Sequence, residues 1–575
     1  IGKKTVLYCY GKECQILSMR FTDGTETAYE YDEAGYRIQE LNRLGQITSW
    51  RYDEIGRLIS EQSTSGLTAT YVYDEEDDLK EKTDNANRQT QYFYDGKHNL
   101  IEVKERVTGN GAAISRLYQY DRKGRLVQET DARGAVTTYI YGETCGKPAV
   151  VSYADGEEVR YEYDALGRQM ALEDDCGRVE YAYNAKNYRT MVRDGEGNES
   201  HYMYDGMGRL LAMYMPKAWK TRKDEYVYKY DFLDRLIDTI RPDGSHQRQI
   251  RDGEGNILKN VHPNAYDALT DDGEGIRYEY DSDGNNIRIH YPDGGCERIF
   301  YDAEGKRIKH VLPEYYDSIL DDGIGTSYEY DSAGRLAKII LPDGTVEAEY
   351  GYDLIGNILT KTDALGHTSY YAYDLCGNLT RSLIPTKEEQ DEDLYQKVTF
   401  SYDGNGNKVK EHRFSGYWDK DGNLLREDGT GLCLTYRYDC RNRLVQVEDG
   451  LGAVIKYRYD VRGNRIYEEK AINPEVRQII HFVHDKAGRL IERREELDSG
   501  LEPVSGEYKT AVTTHGYDEN GNRIFTQTPE GYRITREYDT LDRLTSERVE
   551  DHLNGIDRTV RVNYDKAGNI TKLVR

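Results

Sequence analysis

Two stretches of the 575-residue chain open like a calcium loop. Asp281-Ser282-Asp283-Gly284-Asn285 and Asp419-Lys420-Asp421-Gly422-Asn423 follow the pattern D-x-D-x-N, whose oxygens suit a hard cation. A complete loop of this kind also needs glycine at its sixth position and a closing glutamate at its twelfth. Here the sixth positions are Asn286 and Leu424 and the twelfth are Pro292 and Thr430, so both stretches read as turns. The eight cysteines, at 9, 14, 145, 176, 296, 376, 433 and 440, include no C-x-x-C pair that would hold zinc, and read as scattered free thiols. Gly253-Glu254-Gly255 and Gly404-Asn405-Gly406 lack the helix that a phosphate loop leads into. Twelve histidines are dispersed without H-E-x-x-H spacing or a serine–histidine–aspartate order. Carboxylates pair up everywhere in so acidic a chain, so a pair carries no information about glycoside hydrolysis. These residues call for no cofactor and no metal, and they predict a chain that is not an enzyme.

What the same residue types do build is a repeat. The string Tyr-Asp-x-x-Gly-Arg-Leu, or a close variant, begins at Tyr31, Tyr52, Tyr120, Tyr163, Tyr204, Tyr330, Tyr352, Tyr459, Tyr517 and Tyr564. Degenerate copies begin at Tyr94, Tyr183, Tyr230, Arg251 and His484. Tyr10, Tyr31, Tyr52, Tyr73 and Tyr94 are spaced 21 residues apart, and about 24 units run from Tyr10 to Tyr564. Each tyrosine closes an alternating stretch such as Tyr29-Glu30-Tyr31 or Tyr71-Val72-Tyr73, the period of a strand with an aromatic stripe. Asp and Gly three apart then mark a tight turn, and a second turn of the form Asp/Asn-x-x-Gly or Pro-Asp-Gly follows about ten residues on. Two strands and two turns fill about 21 residues, so each unit is one antiparallel hairpin. The residues that specify it in the best copies are Tyr31, Asp32 and Gly35; Tyr52, Asp53, Gly56 and Arg57; Tyr120, Asp121, Gly124 and Arg125; Tyr163, Asp164, Gly167 and Arg168; Tyr204, Asp205, Gly208 and Arg209; and Tyr330, Asp331, Gly334 and Arg335. The arginine is placed to reach a carboxylate or to stack on a tyrosine of the adjacent unit.

Composition says what such an array can be. Hydrophobic residues make up 37%, but 53 of them are Tyr and only 8 are Phe. A ring with a wet hydroxyl suits a sheet with water on both faces better than an oily interior. Some 48 strands cannot lie in one flat sheet, so the sheet is expected to curl into a wall around a cavity. The net charge of −26 gives no general attraction to nucleic acid or anionic lipid, and no apolar run is long enough to span a membrane.

The tandem YDxxGRL units resemble the YD repeats of the RHS family, which includes bacterial Rhs and wall-associated polymorphic toxins, insecticidal toxin-complex C components and teneurins. The resemblance runs from Tyr10 to Arg575. It implies an all-β fold of tandem antiparallel hairpins forming a spiralling, hollow shell or cocoon segment, in a secreted or cell-surface bacterial protein. It further implies that the shell sequesters a C-terminal toxin or effector chain as cargo. The family closes its shell with a DPxGL-like motif and nearby autoproteolytic aspartates. This chain has no Asp-Pro dipeptide and stops inside a repeat, so end-cap, protease and toxin regions are expected outside residues 1–575.

One array is therefore expected over 1–575, with longer loops near 212–228, 258–278, 308–328, 384–398, 411–434 and 494–514. The inserts around Val261-His262-Pro263 and Val311-Leu312-Pro313 resemble each other at a spacing of 50, as if a two-repeat block had duplicated. Lys387–Lys397 is the best helical or polar-loop stretch. A second reading makes the exterior an adhesion surface, with Trp50, Trp219 and Trp418 as exposed rings for a surface carbohydrate or receptor.

Overall fold

A computed structural model describes residues 6–575 apart from 65, 107–112, 144, 387–393, 428, 430, 474–475, 499–509 and 552–553. The described residues are almost wholly antiparallel β-structure, in strand segments that run from Leu7–Tyr10 to Ile570–Val574. Among the described residues fifty strands belong to one hydrogen-bonded sheet, and two short ones, Tyr316–Asp317 and Asp322–Gly323, pair with each other. Among the described residues no helix is long and apolar enough to cross a membrane.

The unit is the hairpin that the repeat specifies. Ile47–Tyr52 pairs with Leu58–Ser63 across the Asp53–Gly56 turn, with Tyr52 opposite Leu58. Leu58–Ser63 then pairs with Thr68–Tyr73, Ser60 opposite Thr70. A register shift falls just before the motif tyrosine in hairpin after hairpin, as at Arg51/Tyr52, Val72/Tyr73 and Glu329/Tyr330. Such a bulge sharpens the local twist at each Tyr-Asp turn. The tyrosines flanking the shift are half-buried, whereas the residue between them faces solvent even when apolar: Val72 is 50% exposed and Met203 52%. Very few side chains are fully buried, and the compact apolar cluster is Leu383, Tyr395 and Trp418 with Tyr370 and Phe414 against it.

Insertions expected as loops are largely folded. The 258–278 insert continues the hairpin as strands Ile257–Asp267 and Asp272–Tyr280. Within 308–328 lie a 3-10 turn, Pro313–Tyr315, and the small two-stranded pair. Gly416–Trp418 and Leu424–Glu427 pair within 411–434, and Leu379–Pro385 pairs with Tyr395–Tyr402 across 384–398. The insert near 494–514 falls mostly outside the described residues, as does most of Lys387–Lys397, of which Tyr395–Lys397 is strand. The physical reason is backbone satisfaction: inserted N–H and C=O groups find partners most readily by lengthening a ladder already present. Among the described residues the one α-helix, Pro216–Thr221, occupies the 212–228 insert, with Pro at its start and Arg222 in the left-handed region (φ 56°) at its end.

The described residues form two compact units, Ile1–Ala135 with Arg277–Leu434, and Val136–Ile276 with Thr435–Arg575. Each contains two runs of hairpins from distant parts of the sequence.

Candidate functional site: the turn ladder and the seams

The repeated aspartate organises its turn. One oxygen of Asp53 accepts from the N–H groups of Ile55 (3.1 Å) and Arg57 (2.9 Å), and the other from Nε of Arg57 (2.7 Å). Asp121, Asp164, Asp205 and Asp331 hold Arg125, Arg168, Arg209 and Arg335 in the same way, at 2.6–2.8 Å. Asp32 has Tyr36 in place of arginine and accepts from the N–H groups of Ala34 and Tyr36. The glycines Gly35, Gly56, Gly124, Gly167, Gly208 and Gly334 donate their N–H to the carbonyl of the turn aspartate at 2.9–3.2 Å. Gly124 sits at φ 77°, where a side chain is strained. The backbone N–H of Arg125, then its guanidinium, holds the Asp121 carboxyl below the usual carboxylate range, and Arg168 does the same to Asp164.

The arginine then reaches the next repeat. Arg57 donates to Asp77 (2.6 Å) and lies 4.8 Å from the centre of the Tyr73 ring. Arg168 covers Tyr183 (5.1 Å), Arg209 covers Tyr230 (5.3 Å) and Arg335 covers Tyr352 (4.7 Å). Where the motif has tyrosine instead, Tyr36 stacks on Tyr52 and Tyr188 on Tyr204, at 5.0 and 5.1 Å. The covered tyrosine in turn reaches back: Tyr73 donates to the Leu58 carbonyl (3.0 Å), Tyr31 to Ile16, Tyr204 to Arg189 and Tyr330 to Arg307. Tyr163 lies under Lys147 at 5.6 Å, and burial pushes the phenols of Tyr120 and Tyr163 up. Repeats that carry the arginine are thus tied to their neighbours by the strand ladder, a phenol–carbonyl bond and a cation over a ring.

Within each unit a second kind of contact appears that the repeat does not announce. In the first unit, second turns of the earlier run meet Tyr-Asp turns of the later run. Arg43 bridges Asp23 (2.6 Å) and Asp283 (2.8 Å) while its backbone N–H donates to Glu304. Asn405 donates to Asp131 (2.5 Å) and accepts from the N–H of Ala132. The second unit follows the same rule. Arg441 donates to Glu157 (2.6 Å) over the Tyr153 ring, and Arg462 donates to Asp174 (2.8 Å) and the Gly177 carbonyl. Asp174 is only 2% exposed there. Lys220 pairs with Glu519, and Asn264 donates to Asp565. Burial, then the Asp460 carboxylate, pushes the Cys176 thiol at this seam up to about 11, which leaves it a poor nucleophile. Sequence reasoning missed these seam residues. The arginines among them carry one signal, a place inside a turn tip, as in Asn42-Arg43, Cys440-Arg441 and Val461-Arg462, instead of after its glycine.

Other candidates resolve into structure. Asp281 and Asp419 spend their oxygens on the N–H groups and the asparagine amides of their own turns, and Asp283 faces Arg43. No cluster of potential metal ligands occurs among the described residues. The tryptophans are not the free rings expected for sugar stacking. Trp418 is 5% exposed in its apolar cluster, Trp219 packs on His201 at 3.5 Å, and Trp50 lies under Arg37 at 4.5 Å. Large rings are the most effective cover available in a sheet so poor in aliphatic residues, so they are drawn into packing.

The duplicated inserts fold alike. Tyr266 donates to Asp271 and Lys259 to Asp272; fifty residues on, Tyr316 donates to Asp321 and Lys309 to Asp322, all at 2.8–2.9 Å. Arg288 holds Asp321 down to about 2.

A ladder of tandem antiparallel hairpins, tied turn to turn, defines a β-hairpin repeat protein. The chain belongs to the teneurin YD-shell family, whose model matches residues 9–105, 102–247 and 320–499. No curated protein matches it in sequence. Its fold is similar to that of TcdB2-TccC3-Cdc42 (TM-score 0.66, 14% identity), over 99% of this chain and 39% of that one. It is also similar to TcdB2-TccC3-TEV (TM-score 0.59, 13% identity, 99% and 35%) and to TcdB2-TccC3 (TM-score 0.59, 14% identity, 98% and 38%). The chain therefore spans well under half the length of these structures.

Proposed function

We propose that the chain is a mechanistically passive wall: it helps enclose a toxin or effector polypeptide within an exported bacterial protein of the RHS type. On this reading all 575 residues form one array of about 24 repeats, and the motif Tyr, Asp, Gly and Arg residues supply its cohesion. The observation that carries the proposal is the ladder. Neighbouring hairpins are hydrogen-bonded strand to strand, and repeats that carry the motif arginine hold the next through arginine, tyrosine and aspartate, so the surface offers few places where a chain threads through or a protease gains purchase. Membership of the YD-shell family and the fold likeness to TcdB2-TccC3 complexes support it. Adding protease to the whole protein tests it. The enclosed polypeptide is expected to survive while the same polypeptide, free in solution, is degraded; equal rates would overturn the proposal.

A further inference from the structure

We infer that a cleft of about 580 Å³ over Tyr94, in the first unit, binds the guanidinium group of an arginine side chain presented by a partner polypeptide. The fifth residue after the motif position is arginine in nine of the 24 repeats, and it is the residue that covers the next tyrosine. Asp78 is the single acid at that position in the whole chain. One repeat earlier, Arg57 fills the corresponding place between Asp53, Asp77 and the Tyr73 ring. One repeat later Asp78 stands in the arginine's position, and the equivalents of the groups around Arg57, namely Asp74, Tyr94 and His98, line the cleft together with Asp78 and Asp95. Among the described residues no cation lies over Tyr94. The two turns beside it also depart from the repeat, with Asp77 and His98 standing in the glycine position at φ 71° and 64°.

The vacancy has the chemistry of what normally fills it. Glu76 joins the three aspartates on its wall against Lys80 and His98, and the Asp78 carboxylate meets Nδ1 of His98 at 2.7 Å. Phe93, 39% exposed, and Ile101 offer apolar surface for the methylene stem of a long cation. A planar guanidinium can pair with carboxylates through its fork and lie on a ring at once, which a compact ammonium does not match. The inference does not depend on what the wall encloses.

Saturation-transfer NMR on the 575-residue chain tests it, with N-acetyl-arginine amide, its lysine analogue and the uncharged citrulline analogue as probes. Transfer is expected to the arginine side chain, several-fold weaker to lysine and absent for citrulline, and to fade as salt rises from 0.05 to 0.5 M. Asp78→Arg is expected to refill the cleft, weaken binding at least about tenfold and raise the melting temperature. Asp78→Asn, which keeps the shape, is expected to weaken binding without that rise. No transfer to the arginine probe, equal transfer to lysine or citrulline, or a folded Asp78→Arg chain that binds as before would each overturn the inference.

Discussion

At the scale of single residues the chain works by reuse. One aspartate oxygen serves two backbone N–H groups and the other an arginine, and that arginine serves the next repeat. The tight turn also needs its glycine. Gly124→Ala is expected to lose about 1 kcal/mol, because φ 77° is strained for any side chain while the space around the new Cβ is nearly open. Chemical denaturation measures it, and an unchanged midpoint would mean that the turn relaxes. Arg462 at the seam is different in kind. Arg462→Ala leaves Asp174 buried without its ion pair, and a loss on the order of 3 kcal/mol is expected. Asp174→Asn in the same background should recover part of it, by removing the stranded charge; failure to recover would place the effect in lost packing. The turn aspartates were legible in the sequence because their role is local, completed within four residues. Arg462 was not, since its partner lies 288 residues away.

At the scale of elements the hairpin is the unit, and insertions obey it. The inserts at 258–278 and 308–328 fold back closely on the chain, for a reason visible at Gly273 and Gly275, and again at Gly323 and Gly325. At each of these glycines an added Cβ would collide with the facing backbone, so the inserted strand is packed against its partner with no room between. Gly275→Ala is therefore expected to destabilise by roughly 2–3 kcal/mol. Hydrogen exchange should rise across Ile257–Tyr280 and stay unchanged in the equivalent Arg307–Tyr330. Uniform loosening of both blocks would refute a local cause. Strand positions were readable from alternation, but the fate of an insert depends on whether a neighbouring strand offers a ladder to extend.

At the scale of the molecule the acidic composition becomes a stability property. Asp121 and Asp164 titrate below the ordinary range in the folded chain, because backbone N–H groups and arginines favour their charged forms. A carboxyl depressed on folding contributes stability that is complete above its unfolded value near 4 and is lost as pH falls through the lower folded value. Thermal unfolding by circular dichroism is thus expected to change little from pH 7 to about 5 and to weaken steeply below about 4. A melting temperature that holds or rises on acidification would show that repulsion among the excess carboxylates dominates instead.

The sequence by itself determined the class of structure. A motif repeating every 21 residues specifies strand, turn, strand and turn through contacts that close within one repeat or with the next, and such contacts are written in the order of the chain. It also determined that tyrosine and glycine would be abundant and aliphatic residues scarce, since each repeat spends them on a half-wet face and on its turns. Only the tertiary structure decided which turn tips meet across a seam, which tryptophans are packed away and where one missing arginine leaves a cleft. Those outcomes depend on pairs of residues brought together by many small twists accumulated along the array, and no single repeat records the sum.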